Sequence, residues 1–103
     1  MKSLNKDNYD AIYEKEIVFV DFWAGWCGPC MALAPLYEKV AQTYNSKAEF
    51  LKCNVDEEQE LAVKHGIMSI PCIMVFNKGK LQDKLVGLAN ENILINFVER
   101  NLK

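Results

Sequence analysis

The sequence predicts an α/β fold in which a central mixed β-sheet is covered by helices on both faces. Strand-like and helix-like segments alternate over the first two thirds of the chain, and two further strands and a helix complete it. Residues 17–23 and 72–76 are almost entirely apolar, which is typical of strands buried on both faces. The chain has 103 residues, a length that favours one domain spanning residues 1–103.

The composition argues against several classes of protein. Half of the residues are apolar and a quarter are charged, as in ordinary globular proteins. The formal net charge is −2, and the scattered basic residues form no stripe that would bind nucleic acid. No apolar run is long enough to span a membrane or to form the core of a signal peptide. We therefore expect a monomeric, cytoplasmic protein.

The first half of the chain is predicted to form a helix, a strand and a longer helix. Residues 5–14 have the apolar spacing of a short amphipathic helix. The strand at 17–23 contains one acidic residue, Asp21. Apolar residues recur at helical spacing from residue 30 to about residue 44. Pro35 should kink this helix, because proline lacks the amide donor and clashes with the preceding turn.

The second half is predicted to begin with a strand at 48–55 and a short helix at 56–65. Asp56 is expected to be the N-cap of this helix, and Gly66 lies just past its end. The buried strand at 72–76 follows. Strands joined by a crossover helix are expected to be parallel.

The last part of the chain is predicted to be a hairpin and a helix. Residues 77–80 form the turn, and residues 81–86 form a strand with polar positions. Asn90 can cap the final helix. The apolar stripe of that helix consists of Ile93, Leu94, Phe97 and Val98.

Cys27 and Cys30 are separated by two residues, after a buried strand and at the start of a helix. The attacking species in disulfide exchange is the thiolate, and a helix N-terminus stabilises negative charge. Residues three positions apart lie on one side of a helix, close enough to form a disulfide. The motif therefore predicts dithiol–disulfide exchange, in which Cys27 attacks and Cys30 resolves the mixed disulfide.

The neighbours of the cysteines suit a binding surface. Gly28 leaves room for a partner's backbone to approach. Pro29 fits the first helical turn, where its missing donor costs nothing. Trp26 offers a flat apolar surface beside the sulfur of Cys27.

Asp21 is the candidate base for Cys30. It lies inside an apolar strand that ends near the cysteine turn, so burial should raise its pKa toward neutrality. Lys52, on the adjacent predicted strand, could share this proton chemistry.

Residues 20–24 (VDFWA) and 26–30 (WCGPC) resemble the signature of the thioredoxin family, and the resemblance extends over nearly the whole chain. Pro35 matches the family's kink, and Lys52 lies in a match to its third strand. The resemblance implies a thioredoxin fold with four to five strands and a general protein disulfide reductase. It also implies that no cofactor is bound and that electrons come from NADPH through a separate thioredoxin reductase.

The resemblance also implies a substrate groove. Residues 66–71 look like the loop that holds the family's cis-proline, here Pro71, opposite the disulfide. Gly87 matches the glycine that flattens the groove. We expect an extended peptide to pair with the backbone of Ile70. The expected lining residues are Trp26, Gly28, Pro29, Ile70, Pro71, Gly87 and Leu88.

The sequence departs from the family pattern at three places. The N-terminal segment is short, so the family's first strand is expected to be stunted or absent. Met31 follows the second cysteine where a lysine is common, which removes a positive charge. Cys72 replaces the usual threonine after the proline. Both Cys72 and Cys53 are expected to be buried and poor nucleophiles.

Three other interpretations of the cysteine motif exist. A closed zinc site needs four ligands, but the remaining cysteines stand alone in predicted strands and His65 is the only histidine. The chain could instead be an oxidase or isomerase module of a disulfide-forming pathway. The residues Gly28 and Pro29 and the lack of a signal sequence argue against that role. A non-enzymatic, thioredoxin-like assembly subunit is the third alternative.

Overall fold

The computed structural model describes all residues, Met1–Lys103. The helices are α1 (Ala11–Glu14), α2 (Gly28–Tyr44), α3 (Gln59–Lys64) and α4 (Glu91–Arg100). The strands are β1 (Ile17–Trp23), β2 (Glu49–Asn54), β3 (Cys72–Asn77) and β4 (Lys80–Val86). They form one sheet in the order β2-β1-β3-β4, in which β1 and β2 are parallel and the other pairs are antiparallel. The predicted mixed sheet is confirmed.

Both faces of the sheet are covered. On one face, α2 and α4 pack on side chains such as Phe19 of β1. On the other face, α1 and α3 pack on alternate residues of the same strand, including Phe22. This double burial explains why β1 is apolar almost throughout. It also leaves Asp21, which shares a face with Phe19, in an apolar layer.

The predicted helix at 5–14 is wrong over most of its length, because only Ala11–Glu14 is helical. The Asn5 side chain accepts hydrogen bonds from the backbone N–H groups of Asp7 and Asn8, each at 2.9 Å. Such side-chain bonds favour a turn over a helix. The expected first strand is reduced to an isolated bridge between Ser3 and Lys52.

The second helix boundary also differs from the prediction. Helix α3 begins at Gln59, three residues later than expected, and Asp56 is not its N-cap. The backbone N–H of Asp56 instead donates to the Asn54 side chain at 2.9 Å, which forms a turn before the helix. Gly66 ends the helix as predicted, with a φ of +65°.

The hairpin and the last cap agree with the prediction. Lys78 and Gly79 both have positive φ, 52° and 83°, as a two-residue type I′ hairpin turn requires. The Asn90 side chain accepts a hydrogen bond of 2.9 Å from the backbone of Ile93 and so caps α4. None of the helices combines the length and the apolar character needed to cross a membrane.

Candidate active site

The two motif cysteines form a disulfide at the N-terminus of α2, with their Cα atoms 5.2 Å apart. Cys27 is the N-cap residue, and its Sγ accepts a hydrogen bond from the backbone N–H of Cys30 at 3.2 Å. Pro29 lies in the first helical turn. Both cysteines are buried, but Cys27 is the more exposed, at 5% against 1% for Cys30. A thiolate formed on Cys27 by reduction would lie where helical N–H groups can stabilise it.

The loop that joins α3 to β3 packs against Cys27 through Ile70. The peptide bond between Ile70 and Pro71 is cis. The carbonyl oxygen of Ile70 lies 3.8 Å from Cys27 Sγ. The N–H of Gly87 donates to the Pro71 carbonyl at 2.8 Å, and its φ of +93° favours glycine. The structure thus brings together Cys27, the Ile70–Pro71 pair and Gly87, with the exposed side chain of Leu88 next in the chain.

Trp26 forms the exposed rim of the site, with 72% of its surface accessible. Its Nε1–H donates a hydrogen bond of 2.9 Å to Oδ2 of Asp56. The sequence interpretation assigned Asp56 to a helix cap and missed this contact. Strands β1 and β2 are parallel, and Trp23 pairs with Asn54. The segments that follow the two strands therefore leave the sheet at the same edge, which is the feature that could have indicated the contact.

An apolar groove extends from Trp26 across α3 and has a volume of about 320 Å³. Val63 and Met68 on its wall are strongly exposed, at 81% and 95%. The sequence interpretation took no residue of α3 as part of the site. The groove is lined by Trp26, Val55, Gln59, Ala62, Val63, Ile67, Met68, Ser69 and Ile70.

Asp21 lies behind the disulfide and is buried, with an Oδ1 atom that has no hydrogen-bond partner. Burial raises the pKa of Asp21 to about 7, against the opposing influence of the Lys52 charge. Lys52 is the register partner of Asp21 on β2. Its ammonium lies 5.4 Å from the centre of the Trp23 ring and forms no ion pair with Asp21.

Asp21, Lys52 and Cys30 line one cavity of about 210 Å³. An acid with a pKa near neutrality can both take and give a proton at physiological pH. Asp21, whose pKa lies in this range, therefore shares a cavity with the inner cysteine. The exposed side chain of Met31 forms part of its outer wall.

Cys53 and Cys72 are free and buried. Both belong to the core on the sheet face opposite Asp21. Burial raises the pKa of Cys72, and it raises that of Cys53 to about 12. No group of three or more His, Cys, Asp or Glu side chains is arranged to hold a metal ion.

Comparisons with known proteins agree with this geometry. A family profile described as Thioredoxin matches residues 1–100. The thioredoxin of Rickettsia bellii is 41% identical over 99 residues, which cover 90% of this chain and 94% of the relative. A Staphylococcus aureus thioredoxin is 41% identical over 95 residues, covering 92% and 91% of the two chains.

Two solved structures share the fold. Plasmodium falciparum thioredoxin superposes with a TM-score of 0.89 at 39% identity, covering 97% of this chain and 98% of that one. A mutant thioredoxin from Halobacterium salinarum NRC-1 also gives a TM-score of 0.89, at 31% identity, covering 100% and 90%.

Proposed function

This chain belongs to the thioredoxin family and is a thiol–disulfide reductase, and we propose that Cys27 attacks substrate disulfides while Cys30 releases the reduced product. The observation that carries this assignment is the position of Cys27 as the N-cap of α2. A thiolate there faces unpaired helical N–H groups. Cys30 lies one turn further in and is almost completely buried, so it is poorly placed to meet a protein substrate.

The proposed reaction has two exchange steps. The Cys27 thiolate attacks one sulfur of the substrate disulfide, forms a mixed disulfide and expels the other sulfur as a thiolate. Cys30 then transfers its proton to Asp21 and attacks the Cys27 sulfur. The Cys27–Cys30 disulfide forms, and the second substrate sulfur leaves as a thiolate. Two electrons have passed from the protein dithiol to the substrate.

Asp21 is proposed as the base of the second step. Its support is the cavity that it shares with Cys30 and a pKa of about 7, which burial produces. Lys52 is proposed to assist as a nearby positive charge that favours the ionised carboxylate.

The substrate is proposed to bind as an extended segment across the site. The Ile70 carbonyl lies 3.8 Å from Cys27 Sγ, so a peptide attached to that sulfur would pass beside the Ile70 backbone. Trp26 and Leu88 are both exposed, and we propose that they flank this path. Gly28 and Pro29 are also exposed, and they complete the proposed groove with Pro71 and Gly87.

The oxidised protein must be reduced again to act catalytically. We propose that a separate thioredoxin reductase supplies electrons from NADPH, and that the protein works as a cytoplasmic monomer. Membership of the thioredoxin family supports this cycle.

An insulin-reduction assay coupled to NADPH and thioredoxin reductase tests the proposal. The protein should turn over insulin disulfides with continuous NADPH consumption. Cys27→Ser should abolish turnover, whereas Cys53→Ala should retain it, because Cys53 is buried on the opposite face of the sheet. A protein that oxidises reduced substrates but does not reduce insulin would instead be an oxidase. No turnover with both motif cysteines intact would favour the assembly-subunit role.

A further inference from the structure

The apolar groove between Trp26 and α3, called the α3 groove from here on, has a floor that packs on the core and walls that face solvent. Val63 and Met68 are the strongly exposed wall residues. The floor is formed by three partly buried residues, Val55, Ile67 and Ile70. An exposed apolar surface of this kind marks an interaction site more often than an isolated exposed side chain does.

The α3 groove begins beside the reactive sulfur. Ile70 lines the groove, and its carbonyl oxygen lies 3.8 Å from Cys27 Sγ. In an extended chain alternate side chains share a face, so a side chain two residues from a cysteine bonded to Cys27 lies about 7 Å further along. A substrate segment held in the mixed disulfide can therefore place a side chain in the groove.

An acidic turn borders the α3 groove just before and at the start of α3. It contains four carboxylates, those of Asp56, Glu57, Glu58 and Glu60. Asn54 holds the turn in place, because its Oδ1 accepts the backbone N–H groups of Asp56 and Glu57 at 2.9 and 3.3 Å. Gln59 lines both the groove and the depression that the acidic residues form, so the two surfaces are continuous.

These carboxylates are not neutralised by salt bridges within the chain. Lys64 lies one helical turn after Glu60, but its ammonium is 4.2 Å from the centre of the Tyr9 ring. Lys6 is the one basic residue that lines the depression, and Glu58 accepts its backbone N–H. The negative charge beside the groove is therefore available to a binding partner.

This charge decides which kind of partner suits the α3 groove. Two copies of this chain that met groove to groove would bring two acidic turns into one interface. The anionic surface of a membrane would be repelled. A protein segment with an apolar side chain next to Lys or Arg would instead fill the groove and pair with the carboxylates. Electrostatic attraction would also raise the rate at which such a segment is encountered.

We propose that the α3 groove and the carboxylates of Glu57 and Glu60 form a docking site that selects disulfide substrates whose cysteine is flanked by apolar and basic residues. This inference rests on the proposed attack of Cys27 on substrate disulfides. Glu57 and Glu60 are the available acids, because both are exposed and their side chains accept no hydrogen bond. Asp56, by contrast, is hydrogen-bonded to Trp26.

The test compares how fast the reduced protein cleaves symmetric disulfides of short peptides. The basic peptide is Lys-Leu-Gly-Cys-Gly-Leu-Lys, the acidic peptide has Glu in place of Lys, and the polar peptide has Ser in place of Leu. Each peptide has the same side chains on both sides of the cysteine, so the direction of binding does not affect the comparison. Cleavage rates with dithiothreitol, a neutral dithiol, correct for the intrinsic reactivity of each disulfide.

The wild-type protein should cleave the basic peptide about threefold to tenfold faster than the acidic one at low salt, as two or more exposed charge pairs would give. The difference should shrink at 1 M salt, where charges are screened over about 3 Å. The basic peptide should also be cleaved about twofold to fivefold faster than the polar one, because its Leu side chains bury apolar surface in the groove.

Charge variants test the acidic side of the docking site. Glu57→Gln combined with Glu60→Gln should reduce the preference for the basic over the acidic peptide to near its high-salt value. Glu16→Gln combined with Glu49→Gln is the matched control. It makes the same change in net charge at the opposite edge of the sheet, where β1 and β2 begin, and should keep the wild-type preference.

Wall variants test the apolar side. Val63→Ser combined with Met68→Ser should remove the preference for Leu over Ser, and both side chains are exposed, so the fold should be retained. An unchanged basic preference in the variant of Glu57 and Glu60 would overturn the proposal, as would equal rates for the basic and polar peptides. A concentration-dependent dimer in sedimentation that the wall variant abolishes would assign the groove to a second copy of the chain instead.

The peptide rates separate this inference from the function on which it rests. If the wild-type protein reduces all the peptides at equal corrected rates, the disulfide reductase function stands and the docking site is rejected. If it reduces none of them while dithiothreitol cleaves them all, the proposed attack by Cys27 fails and the docking proposal fails with it.

Discussion

The indole N–H of Trp26 is hydrogen-bonded to the carboxylate of Asp56 at 2.9 Å, across the edge where β1 and β2 end side by side. This contact joins the turn before the disulfide to the segment before α3. A large exposed ring is thereby held in one position beside Cys27. Preorganisation of this kind lowers the entropy lost when a substrate binds.

Asp56→Ala should therefore weaken turnover of protein substrates. The Trp26 ring loses its acceptor, and kcat/KM should fall about threefold to tenfold, as for the loss of one hydrogen bond of about 1 kcal/mol. Asp56→Asn is the matched control, because its side-chain oxygen can still accept from Trp26. Steady-state insulin reduction measures the effect, and an Asp56→Ala enzyme as active as wild type would show that the contact is dispensable.

The roles of the two cysteines can be separated by trapping. Cys30→Ser should accumulate a mixed disulfide with substrate, because Cys27 can attack but nothing releases it. Cys27→Ser should form no such adduct, since Cys30 is almost completely buried. Non-reducing electrophoresis and mass spectrometry identify the adduct, and the reverse pattern would exchange the two assignments.

Asp21→Asn should slow release of the mixed disulfide more than its formation, because only release requires a base for Cys30. Stopped-flow kinetics of the two steps provide the measurement. Equal slowing of both steps would point to a general disturbance of the site. Lys52→Met is the companion variant, and it should raise the pKa of Asp21, since the Lys52 charge opposes the effect of burial.

Asp21→Asn should also change how the free energy of unfolding depends on pH. Burial raises the pKa of Asp21 to about 7 in the folded protein, against about 3.9 in the unfolded chain. Between these values the folded state binds more protons, so this group lowers stability by roughly 1.4 kcal/mol per unit as pH rises. Asp21→Asn should remove that decline and give a higher unfolding free energy at pH 8. Urea unfolding from pH 4 to 8 tests it.

Much of the fold was predictable because burial leaves a clear pattern in the sequence. The apolar runs of β1 and β3 identify strands covered on both faces. The Asn90 cap and the turn at Lys78 and Gly79 depend on local chemistry that is visible within a few residues. Such features require no knowledge of distant contacts.

The errors arose where local polar bonds or long-range contacts decide the structure. Asn5 and Asn54 each accept backbone hydrogen bonds that replace a helical turn, which apolar spacing does not reveal. The partnership of Trp26 with Asp56 depends on the register of two parallel strands. The hydroxyl of Tyr37 donates to the Leu51 carbonyl of β2, a contact that the helical spacing of apolar residues does not reveal.

His65 should give the free energy of unfolding a pH dependence opposite to that given by Asp21. Its Nε2 is hydrogen-bonded to Tyr9 Oη at 2.8 Å, and burial, followed by the Lys64 charge, lowers its pKa. The neutral ring therefore stabilises the fold above about pH 6.5, and this contribution is lost as pH falls through the lowered pKa. His65→Gln cannot titrate and should flatten the acid side of the stability curve.

The measurement for His65 needs a background without the opposing carboxyl. Urea unfolding of Asp21→Asn and of the double variant with His65→Gln, between pH 5 and 8, isolates the histidine. In Lys64→Gln, the decrease in unfolding free energy at low pH should be smaller but still present, because one of the two causes of the lowered His65 pKa is removed. If the decrease in unfolding free energy at low pH persists unchanged in the double variant, a group other than His65 causes it.

Cys53 and Cys72 should be chemically silent in the native protein. Both are buried in the core on the face opposite Asp21, and neither forms a disulfide. Burial raises the pKa of both thiols, so the reactive thiolate is rare at neutral pH. An aromatic disulfide reagent added to the oxidised native protein should find no fast-reacting thiol, and denaturation should reveal two. Cys72 is the sharper case, because it adjoins Pro71 beside the active disulfide; a fast-reacting native thiol that disappears in Cys72→Thr would make it a third redox group.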